Sequence, residues 1–208
     1  MTVPGRVASA ALLLSLDPPP WFVRHVRAVA EIAAWLAART ASTGASVDVR
    51  LVEAAALLHD VDKLVRVKGP DGRPAPHGDA AGIWLERLGM GELAAAAAAH
   101  PVTLLAAAGA APVLLAAPDE VRIVAYADKR AGQRLETMGA RFAAWERRYP
   151  IDPDDADGAE SVARMRSGAA LLEAAVCGRA GVTPADVRRL RWTGRALAAA
   201  RVAREAAA

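Results

Sequence analysis

Between Leu57 and Lys63 the chain reads Leu-Leu-His-Asp-Val-Asp-Lys, which places an imidazole, two carboxylates and an ammonium within two helical turns at the end of an apolar run. Residues 51–58 have the composition of a buried helix, and such a helix does not end in adjacent His and Asp unless something offsets their burial. A metal ion would do so. Successive helical residues are rotated by roughly 100°, so His59 and Asp60 would reach one centre beside the helix from different directions. Lys63, four residues after His59, falls on the same side and would meet an anion held there. The competing interpretation is a helix that leaves into solvent through a polar turn. The dipeptide alone does not separate the two.

The other histidines do. The chain has four, His25, His59, His77 and His100, and all fall in its first half. Each alone has an ordinary explanation: His25 lies at the edge of an apolar stripe, His77 follows a Gly/Pro loop, and His100 ends an alanine run. Two carboxylates, Asp60 and Asp128, interrupt faces that are otherwise apolar, and a buried carboxylate requires a partner. Imidazole nitrogens with carboxylate oxygens suit iron, manganese or zinc, and the absence of a thiolate set disfavours a structural zinc site.

The elements that must position these groups are helical. Trp21 to Thr40 has apolar residues at 22, 26, 29, 32, 33, 36 and 37, the repeat of an amphipathic helix with His25 near its start. Asp48 can cap the next helix, which carries Val52, Ala55, Ala56 and His59. Residues 68–76 form a loop that delivers His77 to a helix over 77–88, where Gly78 and Gly82 permit close approach by a neighbour. Residues 92–99 are strongly helix-forming and lead into His100-Pro101. Residues 101–117 are apolar without a readable register. Pro118-Asp119-Glu120 opens one long helix that runs to Tyr149 and carries Asp128 on its buried side. An acidic, turn-rich linker over 150–158 separates it from helical patterns over 161–178 and 184–208.

With 208 residues the chain can bury a full core. Its apolar content is mainly Ala and Leu, with few aromatic residues, the composition of helices and not of sheets. The net charge of +3 is spread among interspersed acids and bases, which argues against nucleic-acid binding as the main role. A single cysteine, Cys177, forms no intramolecular disulfide, and a reducing cytoplasm is the simplest setting. The apolar run from Ala8 to Leu16 is too short to span a bilayer and stops at Asp17-Pro18-Pro19-Pro20, so it is expected to be a docking helix or strand-like arm and not a membrane anchor.

The order His25, His59-Asp60, His77, His100, Asp128 resembles the HD-domain superfamily of metal-dependent phosphohydrolases. Leu57-Leu58, Lys63, the His77-Gly78 junction and Tyr126-Ala127-Asp128-Lys129 extend the match over roughly residues 20–150. The resemblance implies an all-α bundle, with a metal-binding core and N-terminal arm over residues 1–150 and a helical extension over 151–208 packed on it. It implies that His25, His59, Asp60 and Asp128 hold one divalent metal and that Asp60 bridges to a second on His77 and His100. Such a centre polarises a phosphate and activates water near neutral pH. Asp60 and Lys63 are then the catalytic residues, and Lys63, Arg130 and Arg134 the groups that contact substrate phosphate. The pattern is most similar to bacterial HD proteins that split diadenosine tetraphosphate symmetrically, which share the arginine six residues after the last aspartate. It departs from them at Pro101, usually threonine, at Asp62, where many HD proteins have a small residue, and over the whole C-terminal third. The implied partner is a small-molecule nucleotide, with a homodimer compatible with the pattern. An HD-type di-iron oxygenase and a non-catalytic HD ligand-binding module are the alternative readings of the same ligand set.

Overall fold

Alanine and leucine with regularly spaced apolar residues build helices throughout. The computed structural model describes residues 3–152 and 154–206. Among these it has ten α-helices and no strand: α1 (Arg6–Ser15), α2 (Pro20–Ser42), α3 (Val49–Leu58), α4 (Asp79–Arg87), α5 (Gly91–Ala98), α6 (Ala110–Ala116), α7 (Asp119–Lys129), α8 (Met138–Arg148), α9 (Ala156–Ala180) and α10 (Thr193–Glu205). The all-α expectation is met.

The bundle is organised around α2, which starts with Pro20 at its first turn, where a missing N–H costs nothing. Its expected stripe, Phe22, Val26, Val29, Ile32, Ala33, Leu36 and Ala37, is fully buried. Each large member of that stripe contributes roughly 1.5–3 kcal/mol by leaving water. The helix packs against α3, α7 and α9, while α3 also meets α1, α5 and α7. Asp48 caps α3 as expected, its carboxylate accepting from the Leu51 N–H at 3.0 Å.

Small residues let α4 and α5 lie close together. A Cβ placed on Gly82 would sit 3.2 Å from the Ala94 carbonyl and 3.3 Å from the Ala98 methyl group. Gly78 precedes α4 with φ +89°, and a Cβ there would come within 2.7 Å of both the Ala98 carbonyl oxygen and Pro101 Cγ. Only glycine fits that combination of left-handed backbone and close neighbour.

Several boundaries differ from those expected. The long helix over 118–149 is two helices, α7 and α8, broken over 130–137 where Ala131 and Leu135 form a bridge and Thr137 caps α8 through the Ala140 N–H. The helix expected from His77 starts at Asp79, because Gly78 takes the left-handed conformation and leaves His77 in the preceding turn. Residues 101–117 resolve into a 3₁₀ turn (Val102–Ala106) and α6. The acidic linker shortens because Asp155 caps α9 and extends it to Ala156. The helical pattern over 184–208 is a 3₁₀ turn (Pro184–Asp186), a non-helical stretch and α10. Pro153 of the linker, and Ala207 and Ala208 of the last pattern, lie outside the described residues. The N-terminal arm is helical, and α1 packs on α3 and α10. Among the described residues no helix is long and apolar enough to cross a membrane.

Candidate metal centre

The sequence places the four histidines at helix ends, and the fold brings those ends together. His25 comes from the second turn of α2, His59 and Asp60 from the end of α3, His77 from the turn before α4, His100 from just beyond α5, and Asp128 from the last turn of α7. His59, Asp60 and His100 are buried.

In each histidine Nδ1 is engaged by the fold. His59 Nδ1 donates to the Ala56 carbonyl at 2.8 Å, His100 Nδ1 to the Ala97 carbonyl at 2.5 Å and His25 Nδ1 to the Gly132 carbonyl at 2.8 Å. His77 Nδ1 meets the Asp62 carboxylate at 2.8 Å. An imidazole that donates from Nδ1 presents a lone pair at Nε2, the tautomer that a metal ligand requires.

The four Nε2 atoms converge on Asp60, and its two oxygens divide them. Oδ2 lies 3.2 Å from His25 Nε2 and 3.6 Å from His59 Nε2. Oδ1 lies 3.2 Å from His100 Nε2 and 3.6 Å from His77 Nε2. Asp128 Oδ1 closes the first group, 3.4 Å from His25 and 3.7 Å from His59. In the second group the Nε2 atoms of His77 and His100 are 3.1 Å apart. Donors about 2.1 Å from a common cation are about 3.0–3.5 Å from one another, so the separations are those of ligand atoms around a metal.

The polar accounting agrees with a metal. His59 Nε2 and Asp60 Oδ1 are buried and have no hydrogen-bond partner in the protein, and orphaned buried polar atoms are rare unless something else meets them. The cluster also favours positive charge. Burial alone would lower the His25 pKa, but Asp128 and Asp60 outweigh it and hold the imidazole up at about 9. Burial would raise Asp60 and Asp128, yet the surrounding imidazoles hold both carboxyls well below their usual range. Burial pushes His100 down and keeps it neutral. Nitrogen and oxygen donors without thiolate fit iron, manganese or zinc.

The HD domain family model matches residues 22–132, a span that contains all six converging residues. The chain belongs to the HD domain family. Comparisons with curated proteins and with solved structures gave no match. The dipeptide of this HD domain is His59-Asp60.

Lys63, expected beside the centre, is there: its ammonium lies 2.6 Å from Asp60 Oδ2. The contact arises differently from the helical spacing expected, because α3 ends at Leu58 and Lys63 closes a 3₁₀ turn (Val61–Lys63) that folds it back on Asp60. Arg130 is placed otherwise than expected of a phosphate contact. It is buried, and its guanidinium donates to the Tyr126 hydroxyl at 2.5 Å, to the Pro184 carbonyl at 3.1 Å and to the Glu136 carbonyl at 2.8 Å. Arg130 thus ties α7 to the C-terminal segment, and its guanidinium also lies 3.4 Å from the Glu173 carboxylate of α9. Arg134 is exposed, on the same 130–137 loop that supplies the Gly132 carbonyl to His25.

Three positioning groups are not assigned that role from the sequence. Asp62 Oδ2 accepts from His77 Nδ1 and, at 3.0 Å, from the Gly78 N–H; its only mark was an acid where many HD proteins have a small residue. Lys129 is buried and donates to the His100 carbonyl at 2.9 Å and the Ala125 carbonyl at 3.0 Å, so α7 fixes the His100 backbone beside Asp128. Burial, partly offset by Asp128, pulls the Lys129 ammonium down to about 8. The Gly132 carbonyl is reached only because α7 and α8 are separate helices.

Proposed function

We propose that this HD domain is a metal-dependent phosphohydrolase that cleaves a phosphate ester or anhydride of a nucleotide, with dinucleoside polyphosphates as the first substrates to test. The observation that carries the reading is the division of the Asp60 carboxylate, with two imidazoles facing each oxygen. His25, His59, Asp60 and Asp128 would hold one divalent cation, and His77 and His100 the second, with Asp60 common to both. Two cations so held supply Lewis-acid polarisation of a phosphoryl oxygen and an activated water. The chain's own part is positioning. The Nδ1 contacts fix each ring before substrate arrives, and Asp62 and Lys129 fix the His77 and His100 side of the pair. Lys63 has its ammonium on Asp60 and its stem partly in solvent, which suits it to meet the outer oxygens of a phosphate. Hydrolysis then needs no covalent nucleophile from the chain: water adds to phosphorus as the bond to the leaving oxygen breaks.

The test is purified protein loaded with iron, manganese or zinc, assayed for bound metal and for phosphate or nucleotide release across nucleotides, dinucleoside polyphosphates and cyclic dinucleotides. His77→Ala and His100→Ala are expected to lose one metal and keep the other. Full metal content in both variants would overturn the two-cation arrangement, and metal binding without hydrolysis across the panel would overturn the activity.

A further inference from the structure

A second concave site lies away from the metal centre. A cleft of about 450 Å³ opens between the end of α1, the start of α2 and the last turns of α10, and four arginines line it: Arg24, Arg27, Arg201 and Arg204. One carboxylate, Asp17, shares the lining. The hydrogen bonds of these guanidiniums go to neutral oxygens. Arg24 Nε donates to Gln133 Oε1 at 2.5 Å, Arg27 Nε to Thr193 Oγ1 at 3.0 Å, and Arg204 to the Leu14 carbonyl at 3.3 Å. Among the described residues none of the four forms an ion pair, although the chain has nearly as many acids as bases to offer them. Four unneutralised guanidiniums around one hollow repel one another unless an anion joins them.

We propose that this cleft binds a small phosphate-chain anion. The guanidinium fork matches phosphate oxygens in pairs, and one carboxylate among four cations leaves an excess that a multiply charged ligand neutralises. The volume is that of a small-molecule site, which favours a compact anion over a polymer or a flat membrane. Three of the four arginines are already anchored, Arg24 to the 130–137 loop, Arg27 to α10 and Arg204 to the end of α1. Residues 20, 23, 24 and 27 share one face of α2, and His25 points away from that face, so the cleft is separate from the metal centre. Leu14, Asp17, Arg201 and Arg204 lie outside the matched span 22–132. The two ends of the chain therefore complete the cleft on the HD core.

Isothermal titration of the metal-loaded full chain with inorganic tripolyphosphate, and separately with ATP, tests the proposal. The variant is Arg201→Ala with Arg204→Ala, both on the exposed side of α10 and clear of the loop that holds His25. Binding to the cleft is expected to weaken by on the order of tenfold to a hundredfold, the effect of losing charge-assisted contacts, with melting temperature and metal content unchanged. The same affinity should fall steeply with added salt. Equal affinity for the two probes would mean that the phosphate chain alone is recognised, and tighter ATP binding that the ligand is a nucleotide. Should the alanine pair disturb α10, Arg201→Gln with Arg204→Gln keeps the stems and removes the charges. Unchanged tripolyphosphate affinity in both pairs would overturn the proposal, as would tighter capture of a single-stranded oligonucleotide or of phosphatidylglycerol vesicles through the same arginines. Phosphate taken up at the metal centre is untouched by either arginine pair, so the readout is the part of the binding lost with Arg201 and Arg204, and it stands whether or not the metal centre hydrolyses anything.

Discussion

Removing the Asp62 carboxylate tests whether the His77 side of the centre is held from behind. Asp62 touches no other imidazole of the cluster by hydrogen bond: its Oδ2 accepts from His77 Nδ1 at 2.8 Å and from the Gly78 N–H at 3.0 Å. The carboxyl is held below its usual range, since the His77 and Gly78 contacts outweigh a burial that would raise it, so it is ionised at neutral pH. Asp62→Ala removes the acceptor that sets the His77 tautomer and frees the ring to rotate. A lost orienting partner of this kind costs about 10–100-fold in metal affinity, or about 1.4–2.7 kcal/mol. Asp62→Asn keeps an oxygen for both donors and loses only the charge, so it should fall at the low end of that range or below it. The cation on His25, His59 and Asp128 should be unaffected in both. Stepwise metal titration with a chromophoric chelator as competitor reads the two affinities separately. If Asp62→Ala retains wild-type affinity at both sites, or weakens the His25 site instead, the positioning role is wrong.

Other substitutions separate ligands from neighbours. Asp60→Asn keeps the shape of the side chain but not the charge shared by both groups of imidazoles, and is expected to lose at least one metal and nearly all hydrolysis with the helical circular-dichroism spectrum retained. Lys63→Ala removes no ligand, so metal content should stay near wild type while turnover falls by on the order of tenfold to a thousandfold, the range for lost electrostatic groups. Gly78→Ala forces a methyl group onto the Ala98 carbonyl and Pro101 in a left-handed backbone; the strain, about 1–3 kcal/mol, should lower the melting temperature and weaken the metal on His77 and His100 together. Arg130→Ala leaves the Pro184 and Glu136 carbonyls without the guanidinium and the Tyr126 hydroxyl with only the weak Cys177 thiol donor, at a cost of about 2–4 kcal/mol, with KM unchanged; a large rise in KM at unchanged stability would support Arg130 as a substrate contact.

The buried stripe of α2, the Asp48 cap and the all-helical class were legible because they depend on local periodicity and local hydrogen bonds. The six converging residues were legible for another reason: histidine and aspartate at apolar helix ends conflict with burial, and one centre resolves all the conflicts. What was not legible depends on chain reversal at a distance. Nothing within residues 118–149 announces a break strongly enough to outweigh their helical pattern, since Gly132 and Thr137 are tolerable inside or between helices. The break is closed by a hydrogen bond within the loop, the Arg130 carbonyl accepting from the Glu136 N–H at 2.8 Å, and by a tertiary contact, the Gly132 carbonyl turned to His25. The burial of Arg130 was not legible for the same reason. Its partner carbonyl at Pro184 lies 54 residues away in sequence, and an arginine on an acid-and-base-rich helix carries no mark of burial.

The ligand set also bears on what the centre would accept. Asp60 and Asp128 are the two carboxylates facing the Nε2 atoms of the four imidazoles, and since an imidazole that ligates through Nε2 brings no charge, two bound divalent cations would keep about half of their formal charge. Lys63, with its ammonium on the buried Asp60 and its stem partly in solvent, adds a further cation at the edge of the cluster. A centre with that surplus favours an anionic group placed against it and gains most when negative charge builds on that group, which is the condition for lowering a barrier and not merely for binding. A phosphoryl group undergoing attack meets that condition, whereas a neutral alcohol or dioxygen does not use the surplus. On the same reasoning Asp62 serves best where its hydrogen bond puts it, on His77 Nδ1: a third carboxylate directly on the cations would cancel more of the charge that draws the phosphate, while one hydrogen bond removed it would steady the ring and leave the surplus in place.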